Sequence, residues 1–330
     1  MSIIITRAVH IGACVVLLSV FAFQIFIAKS GLGQADQCAL QESEALRRLF
    51  RRLAIWSLVA AFASGIGWFW IVLAQMTGRG FWEMPSMEAI EVAITQTQFG
   101  ELWEWRLGLM LLFIIVHLFG SEKWRIFLWN SRAWQCLGAV VATTLLASLA
   151  WAGHAGAALG GQRWFHLTAD AAHLVAAGLW PGGLVPLTFF LVRAGRLNQP
   201  SLLMAAGTIA RRFSALSLFV VGALATTGFV NSYFLVGSVR ALVLTRYGRL
   251  LALKLLLFFI MISLGAWNRL RLNPQLASVD ELDDQQSVTL CKLKRNVVAE
   301  LCLGTLIVVI VGALGISPLP RLRGGISLHF

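Results

Sequence analysis

Long apolar runs separated by short, arginine-rich polar connections dominate the pattern of this chain. Eight runs can be drawn: Ile3–Ala28, Leu53–Gln75, Trp103–Gly120, Ala133–Ala152, Trp164–Val192, Phe213–Val236, Gly248–Trp267 and Val297–Ile316. Most reach the roughly 20 residues that carry a helix across a hydrocarbon core of about 30 Å. Backbone groups in lipid must be satisfied within their own segment, so runs of this length predict helices. The pattern therefore predicts an all-α polytopic membrane bundle of about eight transmembrane helices, one integral domain over residues 1–330. The fifth run is overlong and contains Pro181, Gly182, Gly183 and Pro186, so a kink or break is expected near its far end. The first run is long for a secretion signal, holds Arg7 and His10, and lacks a clean small-residue cleavage site, which predicts a retained first helix. No internal repeat stands out.

Composition agrees with this reading. Hydrophobic residues make up 58% of the chain and charged residues 13%, against about a quarter charged in soluble proteins. A net charge of +12 raises the question of a nucleic-acid partner, but no soluble stretch is long enough to carry such a site, and none is expected. The charge distribution instead sets an orientation. The odd-numbered connections hold seventeen Lys and Arg, including Arg47, Arg48, Arg51, Arg52, Arg211 and Arg212, against seven in the termini and even-numbered connections. By the positive-inside rule the odd connections are cytoplasmic and both termini periplasmic. The five cysteines show no CxxC spacing and give no disulfide framework. The acidic cluster Asp280–Asp284 reads as a solvated connection.

With that topology, depth follows at about 1.5 Å per residue. His10 lies about two turns below the outer surface, with Cys14 one turn deeper. His154 sits where the fourth helix emerges, and the fifth helix starts beside it with His166, then Asp170 and His173. Spacings of four and three put His166, Asp170 and His173 on one helical stripe, with Asp170 either a ligand or the partner that orients a ring. Ionisable groups buried in a bilayer are costly, so this outer-side set reads as a functional site, with His10, His154, His166 and His173 as the metal candidates. Met84 and Met87, with Met76, add soft sulfur in the first external loop, a mixture suited to copper, although at least one is expected simply to pack at the interface. Cys14 reads as a small buried hydrophobe and His117 as a helix-to-helix hydrogen-bonding residue.

Other buried charges need partners. Lys254 and Asp170 lie at matching depth, which predicts an ion pair that leaves Asp170 an organiser rather than a ligand. Glu300, near the inner end of the last helix, is expected to pair with Arg211, Arg212 or Asn268, with an exit relay for a cation as the other option. Arg106, near Glu101 and Glu104, is expected to anchor the outer end of the third helix. Asn231 and Tyr233 are placed to supply supporting hydrogen bonds.

The ordered motifs WAGHAG, then His166 and His173 with AAGLWPGGLVPL, RRFSALSL with TGFVNS, TRYGRLLALKLLLF ending in AWNRLRLNP, and Glu300 ahead of Gly315–Pro318, resemble the CopD (PcoD) family of bacterial copper resistance membrane proteins. The resemblance is clearest over residues 150–320; earlier, His10 and FGELWEWR are the matching points. It implies an eight-helix multi-pass inner-membrane protein that handles copper, as Cu(I) or Cu(II), together with a periplasmic CopC-like carrier, and moves it toward the cytoplasm. His10, His154, His166 and His173 would be its copper candidates. No GxxxxGK[ST] or phosphorylated-aspartate domain is visible, so a gradient or carrier exchange would drive the movement. On this reading the protein is not an enzyme. The alternative is a haem b-binding membrane oxidoreductase, of b-type cytochrome or HemJ-like kind, using paired histidines such as His10 and His173 as axial ligands.

Overall fold

The computed structural model describes residues 2–28, 37–78, 80, 82–119, 121–153, 161–197, 199–276 and 284–318, and among these residues it is helical with no strand. In chain order the helices are α1 (Ser2–Phe23, extended by a π-helical turn Gln24–Ala28), α2 (Gln37–Thr77), α3 (Met87–Thr95), α4 (Gln98–Leu118), α5 (Glu122–Asn130) and α6 (Arg132–Ala147, tightening to 3-10 over Ser148–Ala152). They continue with α7 (Arg163–Leu179), α8 (Leu184–Leu197), α9 (Pro200–Leu235), α10 (Val239–Leu244), α11 (Arg246–Trp267, π-helical over Asn268–Leu272) and α12 (Asp284–Leu314).

Seven stretches of the described residues are long and apolar enough to cross a membrane, and α4 with α5 makes an eighth if that bent pair is one span. The contacts of α4 are consistent with that eighth span. Near one end of the bundle Arg106 of α4 reaches Leu145 and Ser148 of α6, whereas at the other end Phe113 stacks on Trp134 of α6 at 5.4 Å. So α4 runs antiparallel to α6 over its length. α1 and α12 are also antiparallel and close at one end, where a Cβ on Gly312 would meet Ile4 and Ala8, and one on Gly315 would meet Arg7. The described chain therefore begins and finishes at the same face, called here the terminal end.

α1 is the central post. Its membrane window is 72% buried, against 17% for α9 and for α11, and it packs on α2, α6, α7, α8 and α12. Small residues allow these approaches: a Cβ on Gly138 would strike the Phe21 ring, and one on Gly178 would lie 2.7 Å from Leu18 and 2.8 Å from Leu146.

The expected break in the fifth span is present. Trp180 donates to Ala176 O and Gly182 to Ala177 O, Pro181 cannot continue the helical ladder, and α8 restarts at Leu184. Other boundaries differ from those read in the sequence. α2, α9 and α12 all run past their apolar runs at the far end, into the arginine-rich segments, because polar flanks at an interface remain helical when the core-facing stripe continues. The short helices α3, α5 and α10 occupy stretches expected as loops.

Candidate metal site

Two imidazoles, His10 and His173, face basic side chains near the terminal end, in separate surroundings. His10 is 1% exposed. Its Nδ1 lies 2.9 Å from Ala61 O and 3.2 Å from Ser64 Oγ on α2, and its Nε2 lies 2.8 Å from Arg106 Nη2 on α4. A carbonyl only accepts and a guanidinium only donates, so these partners require a proton on Nδ1 and a lone pair on Nε2. The ring stacks on Trp103 at 5.6 Å and meets Trp68 edge-on at 5.7 Å. Trp103 is fixed by its own bond to Gly65 O.

His173 repeats this arrangement on α7. Its Nδ1 lies 3.0 Å from Thr227 Oγ1 on α9, whose hydroxyl is already donating to Ala223 O, and its Nε2 lies 3.4 Å from Lys254 Nζ on α11. Again Nδ1 carries the proton and Nε2 offers its lone pair to a basic side chain.

His173 belongs to a ladder between α7 and α9. Nearest the terminal end His166 stacks on Phe234 at 4.8 Å; below it Asp170 Oδ1 accepts from Asn231 Nδ2 at 3.0 Å; below that His173 meets Thr227. Residue numbers fall on α9 as they rise on α7, as antiparallel helices require, so the predicted stripe is a real face turned to one neighbour. His10 sits at the same depth. Leu18 of α1 touches Gly178 of α7, and His10 and Asp170 each lie eight residues nearer the terminal end of their helices.

The expected convergence on one ion is not seen. Among the described residues no three His, Cys, Asp or Glu side chains group closely enough to hold a metal, and the recorded partners of His10 and His173 do not overlap. His154 lies outside the described residues. Met84 and Met87 are 75% and 80% exposed, in the stretch linking α2 to α3 and at the start of α3.

Three expectations are corrected. Lys254 does not close an ion pair on Asp170; the only ion pair among the described residues is Arg48–Glu44. Lys254 lies within electrostatic reach of Asp170, but its ammonium turns to His173, while Asn231 donates to one carboxylate oxygen. Arg106 is no surface anchor beside Glu101 and Glu104: it is 1% exposed and points inward to His10, Leu145 O, Ser148 and Cys14 Sγ. It is the functional candidate the sequence reading missed, and its signal was an arginine nine residues into a helix of otherwise apolar trend. His117 bonds Phe113 O of its own helix at 2.7 Å rather than a neighbouring helix. The expected link between Glu300 and Asn268 is present, at 2.7 Å, with Asn296 donating in turn to Asn268. This cluster borders a cavity of about 140 Å³ near the far end.

Residues 1–164 match the family model for the copper resistance protein D-like N-terminal domain, and residues 207–314 match that for copper resistance protein D. The chain belongs to the copper resistance protein D family. Copper resistance protein D of Pseudomonas syringae pv. tomato is 30% identical to this CopD-family chain over 208 residues, 62% of this chain and 63% of that protein, so the match spans under two thirds of that relative. Inner membrane protein YebZ of Escherichia coli (strain K12) is 29% identical over 268 residues, covering 81% and 83%. Copper transport protein CutJ of Bacillus subtilis (strain 168) is 28% identical over 225 residues, covering 68% and 40%. No solved structure matches the chain. Its helices and its likeness to YebZ make this CopD-family chain a copper-related, multi-pass inner-membrane protein.

Proposed function

We propose that this protein carries copper inward across the inner membrane, as cargo and without enzymatic chemistry. The reading is supported above all by the ladder of buried His166 and half-buried Asp170 and His173, with half-buried Lys254 at its lower end, since lining a helix face in lipid with ionisable groups is costly without a polar cargo. The lysines and arginines concentrated at the far end support an orientation with the terminal end toward the periplasm, and in that orientation the ladder opens toward that side. His166 receives the ion at the mouth, and His173 Nε2 takes it deeper. Thr227 holds the ring proton on Nδ1, and Asn231 holds the Asp170 carboxylate in place as an outer partner. Met84 and Met87 offer exposed soft sulfur where a CopC-like periplasmic carrier would hand over copper. Lys254 occupies Nε2 with a positive charge while no ion is there, and moves aside when the ion arrives. The names of the Pseudomonas and Bacillus relatives, which speak of copper resistance and copper transport, agree with such a cargo.

Copper titration of the purified chain against a competing chromogenic chelator tests this. Replacing both His166 and His173 by Ala is expected to lower affinity at the ladder at least tenfold, about 1.4 kcal/mol, with the melting temperature in detergent little changed. Unaltered binding in that double variant removes the ladder as the site. An intense Soret band in the purified wild type would instead turn the assignment to haem.

A further inference from the structure

The imidazoles of His10 and His173 are alike in more than their tautomer. His10 and His173 stand 163 positions apart, and so do Ser64 and Thr227, Gly65 and Gly228, Ala60 and Ala223, Arg7 and Asp170, and Trp68 and Asn231. The contacts follow the same offset. In each copy Nδ1 reaches the hydroxyl just before the glycine, and that hydroxyl donates to the carbonyl four residues back, of Ala60 or Ala223. In each copy a Cβ on the glycine would stand 3.3 Å from the ring's Cε1. Arg7 lies over Trp68 at 4.3 Å where Asp170 bonds Asn231 at 3.0 Å.

The third helix of each unit repeats at an offset of 148. Thr97 caps the amide of Gly100 and Thr245 that of Gly248, at 2.9 and 3.0 Å. A Cβ on either glycine would fall on the preceding short helix, at Ala93 O or Ala241 O. Arg106 and Lys254 then present their bases to the two Nε2 atoms. Matching contacts at two fixed offsets make α1, α2 and α4 an internal copy of α7, α9 and α11. The repeat is hidden in the sequence because the pairs that keep their residue type are scattered among others that do not, and the connection before the third helix differs in length.

The copies part in how the base is held. The hydrogen bond recorded for Lys254 goes to His173. Arg106 is fixed by Leu145 O and Ser148 of α6, reaches Cys14 Sγ at 4.0 Å, and lies 5.2 Å over the Trp103 ring.

We infer that the N-terminal half holds a second site for a soft monovalent cation, at His10 Nε2 and Cys14 Sγ, latched shut by the Arg106 guanidinium that fills the ion's place. One imidazole nitrogen and one sulfur, four residues apart on α1, form a donor pair suited to Cu(I), and the thiol proton leaves as the ion binds. The delocalised guanidinium keeps its charge and its fork on α6, so it does not yield to an arriving ion as the singly held Lys254 does. The identity of the ion rests on the copper reading; the duplication and the latch do not.

Cu(I) titration of the purified full-length chain decides it. Wild type is expected to bind one ion, Arg106→Gln two, and the double variant Arg106→Gln with His10→Ala one again, while Cys14→Ser alone leaves the wild-type value unchanged. An Arg106→Gln protein that melts and elutes like wild type yet gains no ion overturns the latch. So does a wild type that binds two ions and loses one with Cys14→Ser. If wild type binds none and Arg106→Gln binds one that His10→Ala removes, the latch stands and the ladder site fails. Should Arg106→Gln not fold, Arg106→Lys keeps the charge but gives up the two-pronged hold on α6. It is then expected to take up the second ion at higher free Cu(I), and its failure to do so overturns the proposal.

Discussion

At the scale of single residues, the site depends on where a side chain is absent as much as on where one is present. The His173 ring lies over Gly228, and a methyl there would press to 3.3 Å on Cε1 and 3.7 Å on Nδ1, closer than most carbon contacts allow. Gly228→Ala is therefore expected to tilt the ring off Thr227, weakening copper binding several-fold and costing about 1–3 kcal/mol of stability through overpacking. Paired copper titration and thermal melts in detergent check both parts; a variant indistinguishable from wild type in both would mean that the ring relaxes freely. Three histidines also show how much residue type alone can tell. His10, His117 and His173 were all recognisable as buried, yet His117 bonds its own helix while the other two face basic side chains on neighbouring helices.

Elements carry the next level of control, through caps that set where α4 and α11 start. Thr97 and Thr245 sit at equivalent N-caps, each accepting from the amide three residues on, and each cap satisfies a donor that the first turn would leave open. Thr97→Ala and Thr245→Ala are each expected to cost about 1 kcal/mol, and the equivalence of the two sites predicts costs that agree within a factor of about two, as the spread of measured contributions allows. Comparing the two melting shifts in one detergent tests that equivalence. Each cap also fixes the register of the base one helix segment below it, Arg106 or Lys254, so a slipped start is expected to weaken the imidazole contact as well. The stripe of His166, Asp170 and His173 was legible at this scale, because spacings of four and three leave little choice of face. Which helix that face would meet was not legible.

For the whole molecule, α1 begins where α12 finishes, at one end of the bundle, and the proposed orientation puts the opposite, far end in the cytoplasm. Cys291 is exposed, free, and close to Lys292 and Lys294 near the beginning of α12. In intact cells it is expected to resist a membrane-impermeant maleimide and to react once the membrane is opened. Labelling in intact cells would reverse the orientation and, with it, the direction of copper movement.

The sequence by itself determined the helical class, the polytopic arrangement and the break at Pro181, because the demand that lipid makes on backbone polar groups is local and can be read from the length of each apolar run. It also determined the order of His166, Asp170 and His173 along α7, because that order follows from rise per residue. Only the tertiary structure decided that equal depth does not mean one shared pocket, that Lys254 turns to His173 rather than Asp170, and that Arg106 points inward. Those outcomes depend on which helices lie side by side and how far around its axis each is turned. Several arrangements satisfy the same pattern of apolar runs, and packing around α1 selects among them.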